Sequence, residues 1–334
     1  MAAQTSNKNP ISRFLNMNTS GQTGGRNLPL WRQLLLQLVA IAILASVMFP
    51  IMYIVTLSLS SSERRPSQLQ LIPREFSVVA YQQVLDRPTG NPVTFAELLR
   101  NSFVLSMGVG IVALGIAVTA AYAFSRFKFK MREVMMILVF IPLLMPAVGL
   151  STPLYLLLNQ VQVKQCTNGV TVIQPFTTCE DGKGKLQFNL RDSLFGVGIA
   201  MTASALPFAV WNLKGYLDTI PRELEEAAAI DGADANQTFW QIVIPLSAPQ
   251  LAVTFFLGFI GHWQEFVLTW LFLSQPKDYT LAMTLYNMTG QYANSIPWNR
   301  FAAMAVIVAL PVAIVYIALQ KQIVGGLTTG SVKG

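Results

Sequence analysis

Pro221-Arg222-Glu223-Leu224-Glu225-Glu226-Ala227-Ala228-Ala229-Ile230-Asp231-Gly232-Ala233-Asp234-Ala235-Asn236-Gln237-Thr238-Phe239-Trp240-Gln241-Ile242-Val243-Ile244-Pro245 is a polar, helix-favouring stretch in an otherwise apolar chain. It reads as two short helices with a bend. Pro221 suits a first helical turn, and Glu223, Glu225 and Glu226 complement the positive amino-terminal end of a helix dipole. Gly232 can take the left-handed conformation that stops the first helix. Asp234 with Gln237 forms a capping box for the second, which Pro245 and Pro249 are expected to end. Ala227, Ala228 and Ile230 offer a small apolar surface for close approach by another protein, while Phe239, Trp240 and Ile242 suit anchoring at a membrane interface. Asp218, Glu223, Glu225, Glu226, Asp231 and Asp234 face only Arg222 in charge, which points to a basic partner.

Working outward, the flanks are apolar. Of 334 residues 53% are hydrophobic and 12% charged, about half the charged share of a soluble domain. A bilayer span needs about 20 apolar residues. Such runs fall at 34–59, 102–124, 134–158, 194–216, 249–273 and 301–320, so the expected class is an all-α membrane protein with about six transmembrane helices. The first run is too long for a signal-peptide core. Residues 1–30 read as a flexible tail, 31–324 as the membrane domain with a polar loop at 218–247 and an insert at 160–192, and 325–334 as a second tail. Arg126, Lys128, Lys130 and Arg132 crowd one short loop, and the first tail is basic without acidic residues, so both termini are expected in the cytoplasm. The net charge of +7 is spread between apolar runs rather than along one face, which speaks against nucleic acid as a partner and leaves membrane lipid. One histidine and two cysteines make no metal-ligand pattern, so neither a metal nor a redox cofactor is expected.

The run Glu226-Ala227-Ala228, three residues, Gly232, nine residues, then Ile242-Val243-Ile244-Pro245 resembles the EAA motif of permease subunits of ATP-binding-cassette (ABC) importers, with Ile244 where the usual pattern has Leu. Trp263-Gln264-Glu265-Phe266, Asp278-Tyr279-Thr280-Leu281-Ala282, Phe301-Ala302-Ala303 and the Gly/Thr-rich ending are similar to the carbohydrate importers of the maltose type. The insert with both cysteines and the first tail are longer than the family pattern.

That resemblance implies the type I importer permease fold, with cytoplasmic coupling helices. It implies that Glu226, Ala227, Ala228, Ile230, Asp231, Gly232, Ala233, Ile242 and Pro245 couple the pore to an ATPase. Gly330, Lys333 and Gly334 would touch that ATPase through the tail, and Asn287, Tyr292 and Asn294 would lie in a loop that meets a binding protein; a plain solvated loop is the alternative there. No G-x-x-x-x-G-K-[ST] phosphate loop occurs, so ATP and magnesium are expected on a partner. The implied assembly is a second permease, a homodimeric ABC ATPase and an extracytoplasmic sugar-binding protein. This chain is then no enzyme but half of a pore for maltose or maltodextrin. Trehalose or another α-glucoside, a polyol or a glycerol phosphate are the alternatives.

Glu265 falls within the fifth apolar run, where a charge costs about 2.5 to 3.5 kcal/mol on insertion scales, so it must face protein or water. It either lines the solute path with Trp263 or is a structural carboxylate bonded to the partner permease. His262 and Trp263 otherwise suit packing. Cys166 and Cys179 lie on the outward side, where they suit a disulfide; two reduced thiols are the alternative. An ion-coupled transporter would need more intramembrane charge than Glu265, and an intramembrane hydrolase a base partnered better than His262.

Overall fold

The computed structural model describes residues 30–64, 68–69, 71–73, 75–166, 171–177, 179, 184–289 and 296–330. The first twenty-nine residues, Tyr292, Asn294, Lys333 and Gly334 lie outside them. The chain divides into two units at residue 52. The first is the bulk of helix α1 (Leu30–Ser58), a continuous apolar helix whose side chains from Trp31 to Phe49 are exposed, as suits a helix clothed by lipid or another subunit.

The second unit holds α2 (Val79–Asp86), α3 (Phe95–Arg126), α4 (Arg132–Leu144), α5 (Ala147–Gln160), strands β1 (Gln162–Cys166), β2 (Thr171–Gln174) and β3 (Gly184–Asn189), then α6 (Leu194–Leu217) and α7 (Glu223–Ile230). After these come α8 (Ala235–Thr238), α9 (Ile244–Trp263), α10 (Val267–Phe272), a 3-10 turn at Pro276–Asp278, α11 (Leu281–Asn287) and α12 (Trp298–Gly330). Five helices among the described residues are long and apolar enough to cross a membrane, or six if the bent pair α4 and α5 counts as one crossing.

Helix α3 is the spine. Thr94 and Glu97 close a reciprocal capping box at its start, and Arg126 sits in its last turn, where the carbonyl end of the dipole favours a cation. Ala113, Ala117 and Ala121 recur on its buried face, so α6 lies close along it, with Ala209, Val210, Leu213 and Leu217 filling the seam. Gly110 belongs to the same stripe; a Cβ there would stand 3.0 Å from the Phe255 ring of α9. At the other end, Ser102 accepts the backbone N–H of Leu281 and Asn101 donates to the carbonyls of Lys277 and Tyr279, tying α11 to the start of α3.

Four sequence expectations need correction. The apolar run 134–158 is not one helix: α4 and α5 meet at 103°. Pro146 forces Met145 into extended backbone (ψ 142°) and brings no N–H, which hydropathy does not register. The run 249–273 breaks at Gln264 to Phe266, and its helix starts earlier than expected. Pro245 and Pro249 do not end the second short helix, because α8 passes without a break through a π-helical turn (Phe239–Val243) into α9, with Pro245 directly after that turn. The backbone of residues 325–330 continues α12 rather than forming a separate tail, so Gly330 stands at a helix end.

Among the described residues the insert carries the three named strands. Its strands form an antiparallel sheet in the order β2-β1-β3, with Val163 paired to both Ile173 and Phe188, and Cys166 and Cys179 are joined by a disulfide.

Candidate functional site

At the Arg126 end of α3, the EAA stretch folds as a bolted elbow. Helix α7 stops as its composition demands. The N–H of Gly232 bonds to Ala229 (3.1 Å) and that of Ala233 to Ala228 (2.9 Å), the paired bonds of a Schellman close, with Gly232 left-handed at φ 86°. Asp234 and Gln237 then cap α8 reciprocally at 2.7 and 2.9 Å.

Side chains fix this elbow to the bundle. The Arg126 Nε donates to Glu225 Oε1 at 2.5 Å, with the two side chains only 8% and 15% exposed. The Tyr122 hydroxyl donates to the other oxygen of Glu225 at 3.0 Å, and Arg126 also reaches the Ile220 carbonyl at 3.1 Å. A second cluster lies beside it: Ser125 donates to Asp218 at 2.6 Å, Lys214 pairs with Asp218 at 2.5 Å, and Arg222 donates to the Ser125 carbonyl at 2.8 Å. Burial alone would raise the Asp218 carboxyl, but the hydrogen bonds of Lys214 and Ser125, with the positive charges of Lys214 and Arg132, hold it below the usual carboxylate range. Phe239 is buried against Tyr122, ring centroids 4.9 Å apart, beside Val243, Leu213 and Leu217.

The elbow therefore has two faces. Glu225, Ala228, Thr238 and Phe239 turn inward. Glu226, Ala227, Ile230 (87% exposed), Asp231 and Trp240 turn outward, and neither Glu226 nor Asp231 has an ion-pair partner among the described residues. Two expectations change accordingly. Ala228 lies under the elbow and is not part of a presented surface, because the helix turns that position toward the core. Phe239 packs inside the protein, whereas Trp240 beside it is exposed. Ile242 is half-buried and Ala233 likewise, with Pro245 exposed.

Trp263 does not line a solute path. Trp263 is 2% exposed, stacks on Phe259 and donates its indole N–H to the Val308 carbonyl at 3.1 Å, so it is core. Glu265 sits in the break after α9, where its carboxylate accepts the backbone N–H of Leu268 at 2.8 Å and caps α10. That local bond, made within the chain, explains a carboxylate at this depth. Asn287 is exposed at the end of α11, which is tied to the opposite end of α3 from the elbow. The inward network of Tyr122, Ser125, Arg126, Asp218 and Glu225 has no local sequence signature, because its partners are 93 to 103 residues apart.

The described residues form a bundle of five or six apolar helices with a polar elbow bolted to its spine, the architecture of a multi-pass membrane protein. Residues 111–328 match the family described as binding-protein-dependent transport system inner membrane component. The chain is 35% identical over 301 residues to the maltose/maltodextrin transport system permease protein MalG of Vibrio vulnificus strain YJ016, covering 88% of this chain and 93% of that one. It is 32% identical over 234 residues to the galactooligosaccharides transport system permease protein GanQ of Bacillus subtilis strain 168, covering 70% and 73%. Among solved structures, a bacterial ABC transporter involved in alginate import shares the fold at a TM-score of 0.66 and 21% identity, covering 90% of this chain and 99% of that one.

The chain belongs to the binding-protein-dependent transport system inner membrane components, with the type I importer permease fold. It is the pore-forming permease subunit of an ABC sugar importer, a multi-pass inner-membrane protein and not an enzyme, and ATP hydrolysis belongs to a separate subunit.

Proposed function

We propose that this permease imports maltose or maltodextrin, and that its 218–247 elbow transmits movement from a homodimeric ABC ATPase to α3. The observation that carries this reading is the two-faced elbow: Glu226, Ala227 and Ile230 are free to enter a cleft, while Glu225 on the opposite face is fixed to Arg126 of a spanning helix. A rigid joint of this kind moves the spine when the outer face is pushed. Glu226 pairs with a basic group of the ATPase, and Gly232 sets the angle between α7 and α8. Gly330, Lys333 and Gly334 contact the same ATPase, and ATP with magnesium binds there and not on this chain. A second permease supplies the other half of the pore. A sugar-binding protein approaches the opposite side, near Asn287 and the segment with Tyr292 and Asn294.

The basic residues 126–132 beside the elbow support a cytoplasmic location for that end and for both termini. No nucleic acid takes part. The likeness to the galactooligosaccharides permease favours a galactooligosaccharide as the second reading. The test is ATPase activity of the complete reconstituted importer with its binding protein. Stimulation by maltodextrins over galactooligosaccharides and trehalose supports the reading; the reverse order replaces the sugar.

A further inference from the structure

A cavity of about 780 Å³ opens where the turn after α3 meets the start of α4 and the end of α6. Its rim carries Lys128, Arg132 and Lys214 against the single carboxylate of Glu133. Lys214 is committed to Asp218, but neither Lys128 nor Arg132 has a carboxylate at ion-pair distance among the described residues. The first turn of α4 has no side-chain cap, with Met131 at φ 64° before it, so the positive end of its dipole adds to the rim. Below the rim the wall is apolar, formed by Phe129, Met136, Ile137 and Phe140. Helix α4 has no fully buried residue: Met136, Val139 and Phe140 are half-buried against this chain, while Val134, Met135, Ile137 and Leu138 are exposed to bilayer or another subunit.

A charged rim at a helix end above an apolar wall has the polarity of an anionic amphiphile. We propose that this cavity holds the phosphate-bearing headgroup of an anionic phospholipid, with the lipid chains lying against Met136, Ile137 and Phe140. The phosphate chemistry would also suit a free anion; the apolar wall beneath the rim is what selects a lipid. The neighbouring Lys214–Asp218–Ser125 cluster belongs to the elbow's anchorage, so an occupied cavity braces the base of the coupling element. Basic pockets between helices at the membrane surface hold such headgroups through the same combination of charge and apolar wall.

The test uses the complete importer in detergent, measuring lipid retention by native mass spectrometry with phosphatidylglycerol and phosphatidylcholine offered together. Phosphatidylglycerol is expected to be retained preferentially, with about a fivefold loss for each cation removed in Lys128→Gln and Arg132→Gln. Glu133→Gln is expected to increase retention, which keeps the test decisive if either loss-of-charge variant fails to assemble. Equal retention of the two lipids, retention indifferent to all three variants, or displacement of the lipid by millimolar inorganic phosphate would overturn the proposal. A photo-crosslinker at Ile137 that captures the second permease instead of lipid would do the same.

Discussion

Arg126 and Glu225, 99 residues apart in sequence, meet at 2.5 Å and join the last turn of α3 to the first turn of the coupling element. Both side chains are nearly buried, so the pair works as a joint and not as a solvated surface bridge. Tyr122 holds the second carboxylate oxygen, which leaves Glu225 little freedom to turn toward the ATPase. The adjacent glutamate, Glu226, is left to face outward.

Removing one partner of this joint strands the other. Glu225→Ala should cost about 3 to 5 kcal/mol, the range for an uncompensated buried charge. The double variant Arg126→Ala/Glu225→Ala should recover part of that loss. Thermal unfolding of the detergent-solubilised chain gives the cycle, and additive losses would show that the pair does not interact.

Gly232→Ala isolates a backbone effect. No atom stands within 4 Å of a Cβ built at Gly232, so the substitution meets no steric clash, only the left-handed φ of 86°. The expected strain is about 1 to 2 kcal/mol. It should reduce sugar-stimulated ATPase activity more than it lowers assembly with the ATPase, as judged by co-purification.

Asp218 gives the elbow a pH dependence. Its folded carboxyl lies below the unfolded value, so the stabilisation is fully present above about pH 4 and is lost as pH falls through the folded value. Melting temperatures measured between pH 7 and pH 3 should therefore fall less steeply for Asp218→Asn than for the parent. Parallel curves would remove the assignment.

Cysteine substitution should separate insert from coupling. Cys166→Ser is expected to abolish the redox-dependent gel shift and to cost the insert about 3 kcal/mol, the chain-entropy value for so short a loop. Sugar-stimulated ATPase activity should persist, because the insert leads into the start of α6 at Leu194, whereas the elbow follows the other end of that helix at Leu217.

Local patterns and distant ones differed in legibility. Gly232 and the Asp234–Gln237 box were readable because each feature is complete within a few residues. The Met145–Pro146 break was written in the sequence but masked by unbroken hydropathy on both sides. The local bond of Glu265 was not visible for a related reason: an average over an apolar run carries no sign of a helix break that a carboxylate can cap. The Arg126–Glu225 joint was illegible, since pairing across 99 residues is set by the packing of α3 against α6, and the acidic run around Glu225 read as a surface for a partner. Part of that run does face outward, but Asp218 and Glu225 are consumed within the chain.

In the proposed coupling, the outward face of the elbow delivers the ATPase's movement to the pore. The most direct measurement is sugar- and binding-protein-stimulated ATPase activity of the reconstituted importer carrying Glu226→Lys, with co-purification as the control for assembly. The chain should still insert while stimulation collapses, because the variant reverses the charge offered to a basic cleft. Full stimulation in an assembled Glu226→Lys importer would contradict it.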